Sequence, residues 1–268
     1  MDRGQRKISR LSQRISNIFA YRRMLWDMSL LQLKSKYIGL KLGLWWIIVI
    51  PLAMTLCINF VFVSAFKVEI PHYTFFILCA IFPWFFISQA ISEAANVFIA
   101  NKNILRQGVF PQELVLLSSV IANFINFIFG FSIIVPFFLL INKFLILLLP
   151  FLIILLLLNL IFILGLSFIF AVVNTFLRDV YYFLPVGLMF WFWITPVFYS
   201  ENMFNSAYRW VCLINPLTYY ISAYRKILYF GGGLTIKDIS VLFLVSLITL
   251  ILGYILYLKN EAEILKKI

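Results

Sequence analysis

Few side chains in this sequence are suited to acid, base or metal chemistry. Ten Asp and Glu and a single His are spread over 268 residues, and the acids do not cluster. His72 stands alone, and Cys57, Cys79 and Cys212 form no CxxC or Cys/His group, so the donor set of a zinc site is missing. No GxxxxGK[ST] phosphate loop occurs, which excludes ATP binding of that kind by this chain. Glu93 and Asp179 (beside Arg178) border apolar runs, where a carboxylate is expected to be wet or paired rather than catalytic. Proton relays and sugar transfer in a membrane both need carboxylates near the substrate, so no catalytic residue is expected. Any energy input must then come from another subunit.

Cations and aromatics are what the chain has in excess. Arg22, Arg23, Lys34 and Lys36, with Lys41 just beyond, surround the apolar Leu25, Trp26, Leu30 and Leu33. Before them Ile8, Leu11, Ile15, Ile18 and Phe19 recur at helical spacing, opposite Arg6, Arg10, Gln13, Arg14 and Asn17. Both segments read as amphipathic helices lying on the inner leaflet. Two readings stand: a membrane anchor that fixes topology, or a collar of cations that receives an anionic lipid headgroup. The net charge of +12 sits beside apolar runs, so anionic membrane lipid, not nucleic acid, is the expected partner.

The aromatics include Phe82, Trp84, Phe85 and Phe86 in one run, and Phe190 to Trp193, Phe198 and Tyr199 in another. They either pack and form an interfacial belt, or together line a passage for sugar rings. Asn101, Lys102, Asn103, Ile104, Leu105, Arg106, Gln107, Gly108, Val109, Phe110 and Pro111 form a short link with an apolar set that solubility alone does not require. A protein partner beneath the membrane would explain that set, and so would rest on the bilayer surface. Further on, Asn215-Pro216 has the form of an N-cap followed by proline at the first helical position. Leu217, Tyr220, Ile221, Tyr224 and Leu228 then make one apolar face, and Gly231 to Gly233 end it. A second short helix is predicted around Ala207 to Cys212.

The elements that must position these residues are membrane spans. The chain is 64% hydrophobic and 12% charged, about half the charge of an ordinary soluble domain. Six runs carry no charge: between Lys41 and Lys67, then 73–92, 114–142, 144–177, 180–200 and 239–258. Each is long enough to cross a hydrocarbon core of about 30 Å as a helix. The sequence therefore predicts an all-α integral membrane protein with six transmembrane helices. An N-terminal amphipathic interface helix and short re-entrant outer helices between spans five and six complete it. With the N-terminus inside, 16 of the 22 Lys and Arg fall on the inner side, placing both termini in the cytoplasm. The divisions are a cytoplasmic interface segment 1–41, a transmembrane domain 42–258 with outer segment 201–238, and a cytoplasmic tail 259–268.

Read in order, the short motifs resemble the membrane subunit of an ABC-2 type exporter. The branch they are most similar to exports O-antigen, capsular polysaccharide or teichoic acid. Tyr37, Leu42-Gly43, Trp45 or Trp46, and Pro51 resemble the start of its first span. Asn101, Asn103, Leu105, Val109-Phe110-Pro111 and Glu113 resemble its link between spans two and three. Arg178-Asp179 followed by Thr195-Pro196-Val197-Phe198-Tyr199 resembles its fifth span, and Asn215-Pro216-Leu217-Thr218 with Arg225 its outer segment. The resemblance implies a homodimer in the bacterial inner membrane, bound to two ATPase subunits that carry ATP and Mg. An undecaprenyl-type lipid-linked glycan would pass between the two copies. With the collar and the aromatic runs set in that frame, Arg22, Arg23, Lys34, Lys36 and Tyr37 are expected to receive the headgroup, and Trp84, Phe85, Phe192, Trp193, Phe198 and Tyr199 to line the channel. Asn215, Pro216, Tyr220, Tyr224 and Arg225 would form an outer gate. Asn101, Ile104, Leu105, Arg106, Val109 and Phe110 would seat in a cleft of the ATPase. An ABC-2 permease for a smaller lipid or drug, a membrane enzyme acting on lipid-linked sugars, and a passive channel are the alternatives.

Overall fold

The computed structural model describes residues 19–108, 110–200 and 209–268, with Arg14 and Ser16. All regular structure among them is helical. In chain order the helices are α1 (Arg22–Tyr37), α2 (Trp46–Ser64), α3 (Tyr73–Ala100), α4 (Lys102–Leu105) and α5 (Glu113–Ile134). They continue as α6 (Leu145–Phe176), α7 (Val180–Ile194), α8 (Arg209–Ile214), α9 (Pro216–Leu228) and α10 (Ile236–Lys267). A 3-10 turn over Gly43–Trp45 leads into α2, and another over Val135–Leu140 extends α5. The predicted amphipathic helix around Ile8, Leu11, Ile15 and Ile18 lies outside the described residues; α1 is the second such segment.

Five stretches are long and apolar enough to cross a membrane: Gly43–Ser64, Tyr73–Ala100, Glu113–Leu140, Leu145–Phe176 and Ile236–Lys267. The fifth uncharged run behaves differently. A single helix over 180–200 is predicted from its length, but α7 stops at Ile194 after 15 residues. At 1.5 Å per residue that is about 22 Å, short of a hydrocarbon core of about 30 Å. Pro196 is the cause: the residue before a proline is pushed out of the helical region. Thr195 accordingly turns extended, with ψ 135°, and 195–200 continue as turns and bends.

Helix α3 is the central post, in contact with α2, α5, α6, α7 and α9. Its Ile77, Ile81, Ile87 and Ile91 have no exposed surface. It begins beside α9, where Phe76 lies under the Arg225 guanidinium, and ends beside α1 and the α4 link. The polar side chains of α1 run along α5, through Gln32 to Ser118, Lys36 to Asn123 and Tyr37 to Asn126. By contrast, α2 exposes Leu56, Phe60 and Val61, and α7 exposes Tyr182, Phe183 and Phe190. Contiguous apolar faces of this kind are unfavourable in water and suit lipid or another membrane surface.

The most extensive helix contact is that of α6 with α10, and glycines make it possible. A Cβ on Gly165 would strike the backbone of Thr249 and Leu250, and one on Gly253 would strike the Gly165 carbonyl. Small residues at a crossing let two backbones touch, which is where packing energy is gained once water is gone. Gly253→Ala is expected to lower the melting temperature of the purified protein, at a cost of about 1–3 kcal/mol from overpacking. Gly187→Ala on α7, where nothing lies within 4 Å, should leave it unchanged or raise it, since alanine is the better helix former. Thermal unfolding in detergent checks both, and equal melting for the two variants would mean that the α6–α10 contact is not tight.

Candidate functional site

At the α1 end, helices α1, α2, α3 and α5 enclose a cavity of about 570 Å³. Its walls are apolar and largely aromatic, from Trp46, Ile47, Ile50, Phe82, Phe85 and Phe127. Its polar end is built from Lys36, Tyr37, Gln89, Glu93, Asn123 and Asn126. Three of these close a ring. The Lys36 Nζ lies 2.8 Å from Glu93 Oε1 and donates to Asn123 Oδ1 at 2.8 Å. The Asn123 Nδ2 then donates to Glu93 Oε2 at 2.7 Å. Beside the ring the Tyr37 hydroxyl donates to Asn126 Oδ1 at 2.6 Å. Burial pushes the Tyr37 pKa up, the Asn126 bond opposes this, and the Glu93 charge adds to it, so the hydroxyl stays a donor at neutral pH.

A second cavity of about 500 Å³ lies next to the first, with Glu93 lining both. Gln32, Ser92, Asn96, Asn101, Tyr181 and Tyr182 contribute to it. The basic collar divides accordingly. Lys36 and Tyr37 are half-buried and enter the first cavity, whereas Arg22, Arg23 and Lys34 are exposed on α1. The Arg22 guanidinium donates to the Phe19 carbonyl at 3.4 Å.

The link after α3 forms one helical turn, α4. Asn101 starts it, its side chain donating to the Val97 carbonyl at 2.8 Å. Leu105 is buried in the core, Phe110 packs against it half-buried, and Ile104 is exposed. Arg106 donates to the Ile268 carbonyl at 2.9 Å, tying the link to the end of α10. Val109 lies outside the described residues. A second tie is ionic: Arg14 bonds Glu113 Oε1 at 2.8 Å and Glu261 Oε2 at 2.5 Å. The hydrogen bond that Arg14 donates to Glu261 leads in raising the Arg14 pKa above its ordinary value.

The aromatics separate into two groups. Trp84, Phe192 and Phe198 are buried against one another, with ring centroids 5.3 Å apart for Trp84–Phe192 and 5.7 Å for Phe192–Phe198. They join α3 to α7 and to the turn after it. Phe85 faces the first cavity, Trp193 is exposed, and the Tyr199 hydroxyl donates to the Ile194 carbonyl at 2.8 Å.

At the opposite end α9 is deeply seated. Leu217, Tyr220, Ile221, Tyr224 and Leu228 have no exposed surface, the face that their spacing predicts. Asn215 caps the helix by accepting from the Leu217 amide at 3.1 Å, with Pro216 in the first turn. The same Asn215 accepts from Trp191 Nε1 at 2.9 Å and donates to Thr195 Oγ1 at 2.8 Å. Arg225 is 4% exposed, sits 3.7 Å over the Phe76 ring and donates to the Val197 carbonyl at 2.6 Å. Tyr220 pairs with Ser246 at 2.6 Å and Tyr224 with Asn159 at 3.1 Å. Asn215 and Arg225 thus face the break after α7, while the two tyrosines face α6 and α10.

Asn123, Asn126 and Asn159 were not singled out from sequence. The signal was there: Asn123 and Asn126 stand three apart, on one helix face, inside an otherwise apolar run. No His, Cys, Asp or Glu group among the described residues could hold a metal ion.

The chain matches the family described as "ABC-2 type transporter" over residues 25–229. It is 31% identical over 237 residues to an O-antigen export system permease protein RfbA of Klebsiella pneumoniae, covering 87% of this chain and 91% of that protein. A protein of the same name from Myxococcus xanthus is 24% identical over 217 residues, 80% of this chain and 84% of the relative. A match that spans most of both chains, on a helical bundle of membrane-crossing length, makes this chain a member of the ABC-2 type transporter family and a transport subunit rather than an enzyme.

Proposed function

We propose that this chain is the permease of an ATP-driven exporter that moves a lipid-linked glycan of the O-antigen kind across the bacterial inner membrane. The cavity at the α1 end carries the reading. A cationic and amide-lined end above aromatic walls is what an amphiphile with a phosphate head requires, and the similarity to O-antigen export permeases supplies the cargo class. In this reading the chain spans six times with both termini in the cytoplasm. The shorter α7 and the turns after it complete the fifth crossing, and α8 and α9 are re-entrant on the outer side. Two copies enclose the path, and each binds an ATPase subunit that carries ATP and Mg.

Within that frame Lys36 and Tyr37 contact the headgroup, and Arg22, Arg23 and Lys34 draw anionic lipid to the surface around it. Phe85, Trp193 and Tyr199 face the passage, while Trp84, Phe192 and Phe198 hold its wall. Asn215, Pro216, Tyr220, Tyr224 and Arg225 form the outer closure. The α4 link, with Asn101, Arg106, Val109 and Phe110 around Ile104, seats in the ATPase.

The direct test is co-purification with the candidate ATPase and reconstitution in vesicles. Undecaprenyl-linked glycan should stimulate hydrolysis; stimulation by small lipids or drugs alone would move the chain to the smaller-cargo branch. Substitutions on the link should separate by burial. Ile104→Glu is expected to uncouple hydrolysis from export at normal protein levels, whereas Leu105→Glu should deplete folded protein by inserting a charge into the core. Wild-type export from Ile104→Glu would remove the link from coupling. Among the aromatics, Trp193→Ala should slow export at unchanged abundance, and Trp84→Ala should lower abundance first, at a cost of about 3–5 kcal/mol. Export that simply tracks abundance in both variants would leave every one of these rings as packing.

A further inference from the structure

We propose that the Glu93 carboxylate is a built-in placeholder for a phosphate, held by the donors that an incoming pyrophosphate takes over. The proposal rests on the export reading only for what carries that phosphate. In the ring, one carboxylate oxygen receives the Lys36 ammonium and the other receives the Asn123 amide. An ammonium and an amide N–H are the donors that a phosphate oxyanion needs, and neither is specific to carboxylate. The Asn126 side chain, which accepts from Tyr37 and lines the same cavity, carries an amide N–H of the same donor type.

The placeholder answers an electrostatic problem. Lys36 is drawn into a cavity with aromatic walls, its side chain 21% exposed. An ammonium left unpaired there would be costly. Glu93 keeps it neutralised while the cavity is empty, and a phosphate keeps it neutralised once bound, so exchange never leaves the cation bare. Glu93 also has somewhere to go: its side chain is 39% exposed, and it lines the second cavity beside Ser92, Asn96 and Tyr181.

Exchange also selects. The newcomer must outcompete a carboxylate already in place. The phosphodiester of a bulk phospholipid carries a single charge and gains little by the swap. A pyrophosphate carries a charge on each phosphate and gains more from the same cation. The ligand class is therefore a pyrophosphate, and the cavity volume of about 570 Å³ falls in the range of about 300–1,000 Å³ common for small-molecule sites. Glu93 would exclude the phospholipids that surround the protein in vast excess.

The test compares two substitutions that break the same ion pair from its two sides. The full chain with its ATPase, in phosphatidylcholine nanodiscs, is titrated with a fluorescent polyprenyl pyrophosphate. Glu93→Gln should tighten binding and Lys36→Gln should weaken it, each roughly fivefold, as expected for one partly exposed charge. An ion pair that only braces α1 against α3 predicts the same direction for both variants. Weaker or unchanged binding by Glu93→Gln therefore overturns the proposal. If Glu93→Gln does not assemble, Glu93→Asp takes its place: a side chain too short to hold Lys36 and Asn123 together should also tighten binding.

Phosphatidylglycerol should compete with the probe better in Glu93→Gln than in wild type, and equal competition counts against selection by Glu93. Inorganic pyrophosphate that competes as well as the lipid supports exchange with a free anion, whereas competition by the lipid alone supports a headgroup. The two readings fail separately. Opposite shifts without glycan-stimulated hydrolysis would retain the exchange and discard the cargo, and stimulated hydrolysis without opposite shifts would do the reverse.

Discussion

The carbonyl oxygens released where α7 breaks at Pro196 set the terms for the whole α9 end. An apolar interior supplies no water to bond them, so protein must. Arg225 takes the Val197 and Tyr199 carbonyls at 2.6 and 3.3 Å, and the Tyr73 hydroxyl takes Phe198 at 2.5 Å. Asn215 adds the Thr195 hydroxyl and the Trp191 indole. With both ends of α9 committed to the break, its remaining face is aimed into α6 and α10, and Tyr220 and Tyr224 are buried there. The position of α9 follows from a proline in another helix. Its capping by Asn215 and its cation over Phe76 serve the same break.

The α1 end is held by different physics. There the ties are ionic: Arg14 to Glu113 and Glu261, and Lys36 to Glu93. Arg14–Glu261 and Lys36–Glu93 are only partly buried, and pairs of that kind contribute about 0–1 kcal/mol each, whereas Glu113 is itself buried. Buried arginine–carbonyl contacts at the other end have no solvent to take their place. One end of the molecule is thus more easily rearranged than the other. The ionic end is also where Arg14, the α4 link and the tail of α10 converge, through Glu261, Arg106 and Ile268.

Much of this architecture was legible because membrane burial leaves a coarse signal. Uncharged runs mark helices, and the Asn215-Pro216 start with apolar residues at helical spacing marks α9 and its buried face. The stop at Ile194 is legible in principle, since Pro196 disfavours a helical Thr195, but the length of the uncharged run argues for a helix over 180–200. Which aromatics are wall and which face outward was not legible: Trp84 and Trp193 are alike in type, and only the packing of α3 against α7 separates them. Pairs such as Lys36 with Glu93 escape periodicity, because they join elements far apart in the chain. Asn123, which closes their ring, looks in sequence like a minor polar interruption. Charge density groups the cations of α1, but which of them reach the cavity depends on the packing of α1: Lys36, with Tyr37, lines it, while Arg22, Arg23 and Lys34 lie exposed.

The glycine contact between α6 and α10 has a mechanical meaning. Two helices joined by knobs and holes can slip by a turn and find equivalent seats, but here Gly253 nests on the Gly165 carbonyl itself. A one-turn slip, about 5.4 Å along the axis, would bring Tyr257 or Thr249 to that spot, where no side chain fits. The pair therefore has one register and no neighbouring seat, which makes it the stator of the subunit. Against that fixed pair, α2 and α7 keep much of their surface bare of protein, so fewer packing contacts within the subunit hold them in place.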